Sequence, residues 1–202
     1  MHLPKSYLSH SQISLWHRYR RGYVKRYFEG EPSYTSPEME YGNYIENLIE
    51  KGNIFNMPEM LQAIYSDIPN GGYYQRKLVY PFSGFDYLGY ADRMEYDYSV
   101  IDDYKTGKTP WDQERAESSD QLKGYALCVF LITGKIPLTR IVYLPTQGQK
   151  SEIELTGDLY IFPVQFEEKD LKEYKEKVED TATEIAQAYK EWRSWKAETI
   201  DG

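Results

Sequence analysis

The 202-residue chain holds one cysteine, Cys128. A lone thiol closes no internal disulfide and cannot by itself hold an iron–sulfur cluster. This scarcity fits a reducing compartment, and a cytoplasmic location is expected. No apolar run approaches the roughly 18 residues of a membrane-spanning helix. The opening "MHLPKSYLSH" lacks an apolar signal segment. No membrane partner is expected. Internal repeats and low-complexity linkers are absent too. Histidine is sparse: His2, His10 and His17 are the only three, and none falls in the patterned segments described below. That weakens a histidine-centred mechanism.

Positive charge is also short. Lys and Arg number 24 against 32 Asp and Glu, a net charge of −8. Such a surface does not coat nucleic acid nonspecifically. The balance is uneven, however. Arg18, Arg20, Arg21, Lys25 and Arg26 stand together with no acid among them, whereas residues 167–184 carry eight acids and four lysines. A local basic strip on an acidic body is compatible with a transient nucleic-acid enzyme, and equally with no such role. The 21 tyrosines can stack on bases, but many fall at alternating strand positions.

The length suits one domain, residues 1–202, with a motif-bearing core over about 9–165. Ser9 or Ser11 caps an expected helix carrying Ile13, Trp16, Tyr23 and Tyr27 and closed by Gly30. A second helix starts near Ser36-Pro37, buries Tyr41, Ile45, Leu48 and Ile49, and stops at Gly52. A short helix is expected over Pro58–Tyr65. Residues 73–82, 85–97 and 98–106 read as an antiparallel meander. Residues 112–134 read as a helix or a loop plus helix, ended by Gly134. Two more strands follow, "LTRIVYLPT" and "EIELTGDLYIFPVQF", and then an amphipathic helix over about 167–196. The expected class is α/β, with a mixed central sheet flanked by helices and a long C-terminal helix.

The segment "VIDDYKTGK" (100–108) admits two chemistries. A phosphate loop would need glycine five residues before Gly107-Lys108-Thr109, but Asp102 stands there, and Pro110 interrupts the helix that must follow. That reading is rejected. In a strand, residues two apart share a face, so Asp103 and Lys105 point the same way and Asp102 points the other way. A carboxylate beside an ammonium at a strand end can join a divalent-cation site if further acids converge, because Mg²⁺ favours hard oxygen ligands. Asp92 in "GYAD" (89–92) is the nearest candidate, on the preceding strand, with Gly89 leaving room beside it. Alone, the triplet is equally an exposed ion pair. Asp102 is expected to be a surface or ion-pair residue.

The ordered set "S-x-S" (Ser9, Ser11), "RRGYVKRYFEG" (20–30), "GNYIE" (42–46), "GYAD" (89–92), "VIDDYKTGK" (100–108) and "QLKGYA" (121–126) resembles the PD-(D/E)XK nuclease superfamily. The likeness is to RecB-type domains and their small exonuclease relatives in CRISPR adaptation and phage recombination. It covers residues 9–126. It implies a restriction-endonuclease-like core and a Mg²⁺- or Mn²⁺-dependent deoxyribonuclease, an exonuclease, acting in recombination, repair, phage or defence processes. By the same resemblance Glu46, Asp92 and Asp103, with the Tyr104 backbone carbonyl, hold metal. Lys105 orients the attacking water. Gln121 contacts the ligands or the DNA backbone, and Tyr125 contacts nucleic acid or braces the site. Arg18, Arg20, Arg21, Lys25 and Arg26 hold phosphates. Two departures stand out: Glu46 replaces the histidine frequent in RecB-type domains, and the cluster cysteines of some relatives are missing. Implied partners are DNA ends, a second copy of the chain, or a recombination protein. The rival expectation is a binding protein that keeps the fold without turnover, and RNA cleavage is the enzymatic alternative.

Overall fold

A computed structural model describes residues 2–149 and 152–200. Strand β1 (Tyr7–Leu8) precedes α1 (His10–Arg18). The Ser9 hydroxyl caps α1 by accepting the Gln12 N–H. The single helix expected here breaks at Tyr19 and resumes as α2 (Arg20–Tyr23), which runs into a π-helical turn over Val24–Phe28. The break brings Arg20 over the Trp16 ring and onto Glu184. Helix α3 (Pro37–Lys51) has the expected Ser36 cap and left-handed Gly52 end, and α4 (Glu59–Ile64) follows.

Strands β2 (Tyr73–Phe82), β3 (Phe85–Met94) and β4 (Val100–Gly107) form the expected antiparallel run. Residues 112–134 divide into α5 (Gln113–Glu117) and α6 (Asp120–Thr133). Strand β5 (Leu138–Gln147) lies parallel to β4. The last extended segment is two strands, β6 (Glu154–Leu155) and β7 (Tyr160–Val164), separated by a turn in which Thr156 and Asp158 bond each other. Helix α7 (Glu168–Ile200) closes the fold. No helix among the described residues is long and apolar enough to cross a membrane.

Among the described residues seven strands make one mixed sheet. Apolar residues cover both faces. Ile13, Ile101, Leu127, Ile141, Val178 and Ile185 pack α1, α6 and α7 on one side, while Ile45, Ile49, Leu61, Tyr104 and Val142 pack α3 and α4 on the other. Burial pushes the Cys128 thiol, in the first core, up to about 12.

The sheet has a local opening. On the edge of β3 away from β2, β1 pairs only at Asp86 and Tyr87, and β4 only at Arg93 and Met94. Between them, among the described residues, β3 has no strand partner on that edge. This gap places the functional groups.

Gly124 lets α6 approach the sheet. A Cβ there would lie 2.0 Å from the Tyr87 hydroxyl, which bonds Tyr174 at 3.1 Å in the core. Gly124→Ala is expected to destabilise the protein by about 1–3 kcal/mol, because overpacking here outweighs the gain in helix propensity. The measurement is thermal unfolding, with an expected fall of roughly 2–10 °C.

Candidate active site

Beyond the Arg93–Asp102 pairing, β4 leaves β3, and the backbone N–H of Tyr104 is taken by the Asp92 carboxylate (N···Oδ2 2.8 Å). Asp103 follows the alternation expected of its strand and is fully buried. Its Oδ2 pairs with the Lys105 Nζ at 2.5 Å. Its Oδ1 is 3.4 Å from the Tyr125 hydroxyl, whose one proton goes to the Tyr90 carbonyl at 2.6 Å. Gln121 donates to the Tyr125 oxygen at 2.7 Å. A Cβ at Gly89 would stand 3.0 Å from the Tyr125 ring, so glycine there lets this brace close.

Glu46 reaches the same region from α3, where Gly42 allows close approach to Thr106 at the end of β4. Burial pushes the Glu46 carboxyl up to about 7; Lys105 opposes the rise and Asp103 adds to it. Asp92 is also raised, first by burial and then by repulsion from Asp103. Burial would lower Lys105, but Asp103, Asp92 and Glu46 together hold it above its ordinary value. The structure thus brings Glu46, Asp92, Asp103 and Lys105 together.

Three carboxylates share one ammonium. Among the described residues, no group of three acids, histidines or cysteines already has its ligating atoms in place for a metal. The chemistry of the donor set nevertheless fits a hard divalent cation. The donors are oxygens, and three carboxylates face a single ammonium, so the cluster is short of positive charge.

Raised carboxyls also carry a stability signature. Glu46 titrates near its usual 4.5 when unfolded and at about 7 when folded. Between these values the folded state holds a proton that the unfolded state has lost, so stability falls as pH rises through the window. Metal-free protein is expected to melt lower at about pH 8 than at about pH 5.5 from this contribution. Added Mn²⁺ is expected to raise the midpoint more at the higher pH, because a cation held here would bind the ionised carboxylates. Thermal scans at the two pH values check both.

The doubled aspartate separates cleanly. Asp102 is an ion-pair residue as expected, but it is not at the surface. It is fully buried, receives Arg93 Nη1 at 2.5 Å and takes Arg140 through two bonds of 2.6 and 2.9 Å. Arg93 also holds Glu95 and the carbonyls of Asn70 and Gly71.

The basic strip lies elsewhere. It begins at the far end of α1, roughly 12 Å along the axis from His10. Arg20 pairs with Glu184 at 2.6 Å, Lys25 pairs with Glu31 at 3.1 Å, and Arg26 lies 5.2 Å from the Tyr27 ring centre. Arg18 and Arg21 are exposed.

Two residues beside the acids had no place in the sequence pattern. His10 sits at the start of α1, and its Nδ1 is buried without a hydrogen bond. Burial lowers its pKa against the pull of Asp120 and Asp103. The signal available was its place between the two serines of the S-x-S pair. It lines a cavity of about 340 Å³ with Ser9, Ser11, Tyr90, Gln121 and Tyr125. Gln75 of β2 reaches Asp92 Oδ1 at 3.5 Å, and nothing in the sequence marks it. A larger cavity of about 690 Å³ runs along α7 past His2, Gln187, Tyr189 and Arg193, but it holds no acid and lies away from the cluster.

No family model matches the chain, and no curated protein does. Solved structures do. A candidate exonuclease from Eubacterium rectale aligns with a TM-score of 0.59 at 15% identity, covering 92% of this chain and 82% of that one. The LHK-Exo structure in complex with dAMP gives 0.58 at 11% identity and covers 97% and 96%. LHK-Exo is an alkaline exonuclease of Laribacter hongkongensis. A phage-related exonuclease from Haemophilus somnus 129PT gives 0.55 at 12% identity over 85% and 81%. The chain, with its split mixed sheet and long final helix, has the fold of these exonucleases.

Proposed function

We propose that this protein is a metal-dependent deoxyribonuclease that digests DNA from its ends, releasing nucleotides by hydrolysis without a covalent intermediate. The observation that carries this reading is the meeting of Glu46, Asp92, Asp103 and Lys105 at the opening between β3 and β4. Glu46, Asp92 and Asp103, with the Tyr104 carbonyl, would hold Mg²⁺ or Mn²⁺, which polarises the scissile phosphate and makes water a better nucleophile.

The chain's own groups do the rest. Lys105 keeps its proton because three carboxylates surround it. It therefore offers a fixed positive charge to the phosphate and a donor to the attacking water. The Tyr104 N–H fixes one Asp92 oxygen, and Tyr125, held by Gln121 and the Tyr90 carbonyl, walls the site beside Asp103. His10, Ser9 and Ser11 face the cavity that adjoins this cluster, where a terminal nucleotide can lie. The dAMP in the LHK-Exo complex supports DNA as the substrate class.

The experiment is a cleavage time course on matched DNA and RNA with Mn²⁺ or EDTA, together with Mn²⁺ calorimetry. DNA loss with Mn²⁺ and none with EDTA is expected. A folded protein that takes up no Mn²⁺ would favour a binding role on a retained nuclease fold.

A further inference from the structure

Strand β2 departs from strand geometry at one residue. Gln75 has φ of +45°, in the left-handed region that residues bearing a side chain avoid inside strands. The β2–β3 ladder pairs Tyr74 with Arg93 and Arg76 with Ala91, and it skips the pair between them. The residue facing Gln75 is therefore Asp92. Side chains directly opposite in an antiparallel pair share a face of the sheet. The Gln75 Nε2 lies 3.5 Å from Asp92 Oδ1, while Asp92 Oδ2 accepts the Tyr104 N–H at 2.8 Å. The carboxylate is thus addressed at both oxygens, once by backbone and once by an amide.

The flanking residues hold the unusual backbone in place. Tyr74 packs on the second core, and its hydroxyl accepts the Gly71 N–H at 3.1 Å. Arg76 donates to the Tyr98 hydroxyl at 3.2 Å and lies 5.0 Å from the Tyr73 ring centre. The Gln75 side chain itself is exposed, so packing is not what it contributes. Strained residues persist where the surroundings enforce them, and they gather at functional sites.

We infer that Gln75 is a positioning residue for Asp92: its amide sets the second carboxylate oxygen, and the left-handed backbone is what aims the amide there. An amide orients a ligand carboxylate without adding a positive charge that would compete with a cation. Partners of this kind typically change metal affinity about 10- to 100-fold when removed. The inference rests on the nuclease reading.

Gln75→Gly removes the amide and supplies a residue that adopts this φ freely. The expected result is a thermal midpoint at or above that of the wild type. Mn²⁺ affinity by calorimetry is expected to weaken about tenfold, and kcat on linear DNA to fall with KM for DNA unchanged. Gln75→Asn tolerates the left-handed region but is one methylene shorter, and should weaken Mn²⁺ binding likewise. Mn²⁺ affinities within about twofold of the wild type in both variants would overturn the inference and assign Gln75 to strand geometry alone. In that case wild-type binding stays intact and the nuclease reading stands. A wild type that binds no Mn²⁺ would overturn that reading and this inference with it.

Discussion

Replacing Asp103 with alanine is expected to lower DNA hydrolysis by about 10³-fold or more while leaving the protein folded. Asp103 is the fully buried member of the acid cluster, with one oxygen on Lys105 and the other 3.4 Å from the Tyr125 hydroxyl. Removing it takes away a proposed ligand that no neighbour replaces, since Asp92 is held by the Tyr104 N–H and Glu46 comes from a different element. The fold should survive. Asp103 repels Asp92 and Glu46, so its loss relieves like-charge crowding, and Lys105 keeps two carboxylates nearby. The expected signature is an unchanged or higher thermal midpoint, with Mn²⁺-dependent cleavage lost. A folded Asp103→Ala protein that cleaves at the wild-type rate would sink the site assignment.

Asp102→Ala is expected to do the reverse. It leaves Arg93, 3% exposed, and Arg140, 23% exposed, without their shared acid. Removing one partner of a buried charge network costs about 3–5 kcal/mol, because the remaining charge stays desolvated. For a chain of this size that is a fall on the order of 10 °C in the midpoint. Arg93 also ties the Asn70–Gly71 turn to β3, so the loosened region should include that turn. Cleavage by the folded fraction, measured at low temperature, should stay within about tenfold of the wild type, since Asp102 faces away from the acids. Two adjacent, identical residues thus separate chemistry from stability.

That separation was partly legible in the sequence. Strand alternation alone places Asp103 with Lys105 and Asp102 with Tyr104, and the two cores confirm it: Ile101 packs on one face and Tyr104 on the other. Helix ends were legible at Ser9, Ser36, Gly52 and Gly134 because capping is local chemistry. The buried state of Asp102 was not, since it depends on Arg93 and on Arg140 from a strand 38 residues away. The gap in the sheet was hidden as well. It arises because a two-residue strand, β1, joins β3 in parallel far from where β4 joins it. His10 and Gln75 enter the site only through that arrangement. The left-handed backbone of Gln75 has no counterpart in the usual glycine or asparagine signals. The basic strip shows the opposite limit: a charge run visible in sequence whose Arg20 the fold pairs with Glu184 of α7 and whose Lys25 it pairs with Glu31.

The most direct test of the central claim is a time course on DNA labelled at the 5′ or the 3′ end, linear and circular, with Mn²⁺ and with EDTA. The expected result is mononucleotide release from linear DNA with Mn²⁺, none from closed circles, and none with EDTA or with Asp103→Ala. Undigested linear DNA in the presence of Mn²⁺, or equal digestion by Asp103→Ala, would contradict it.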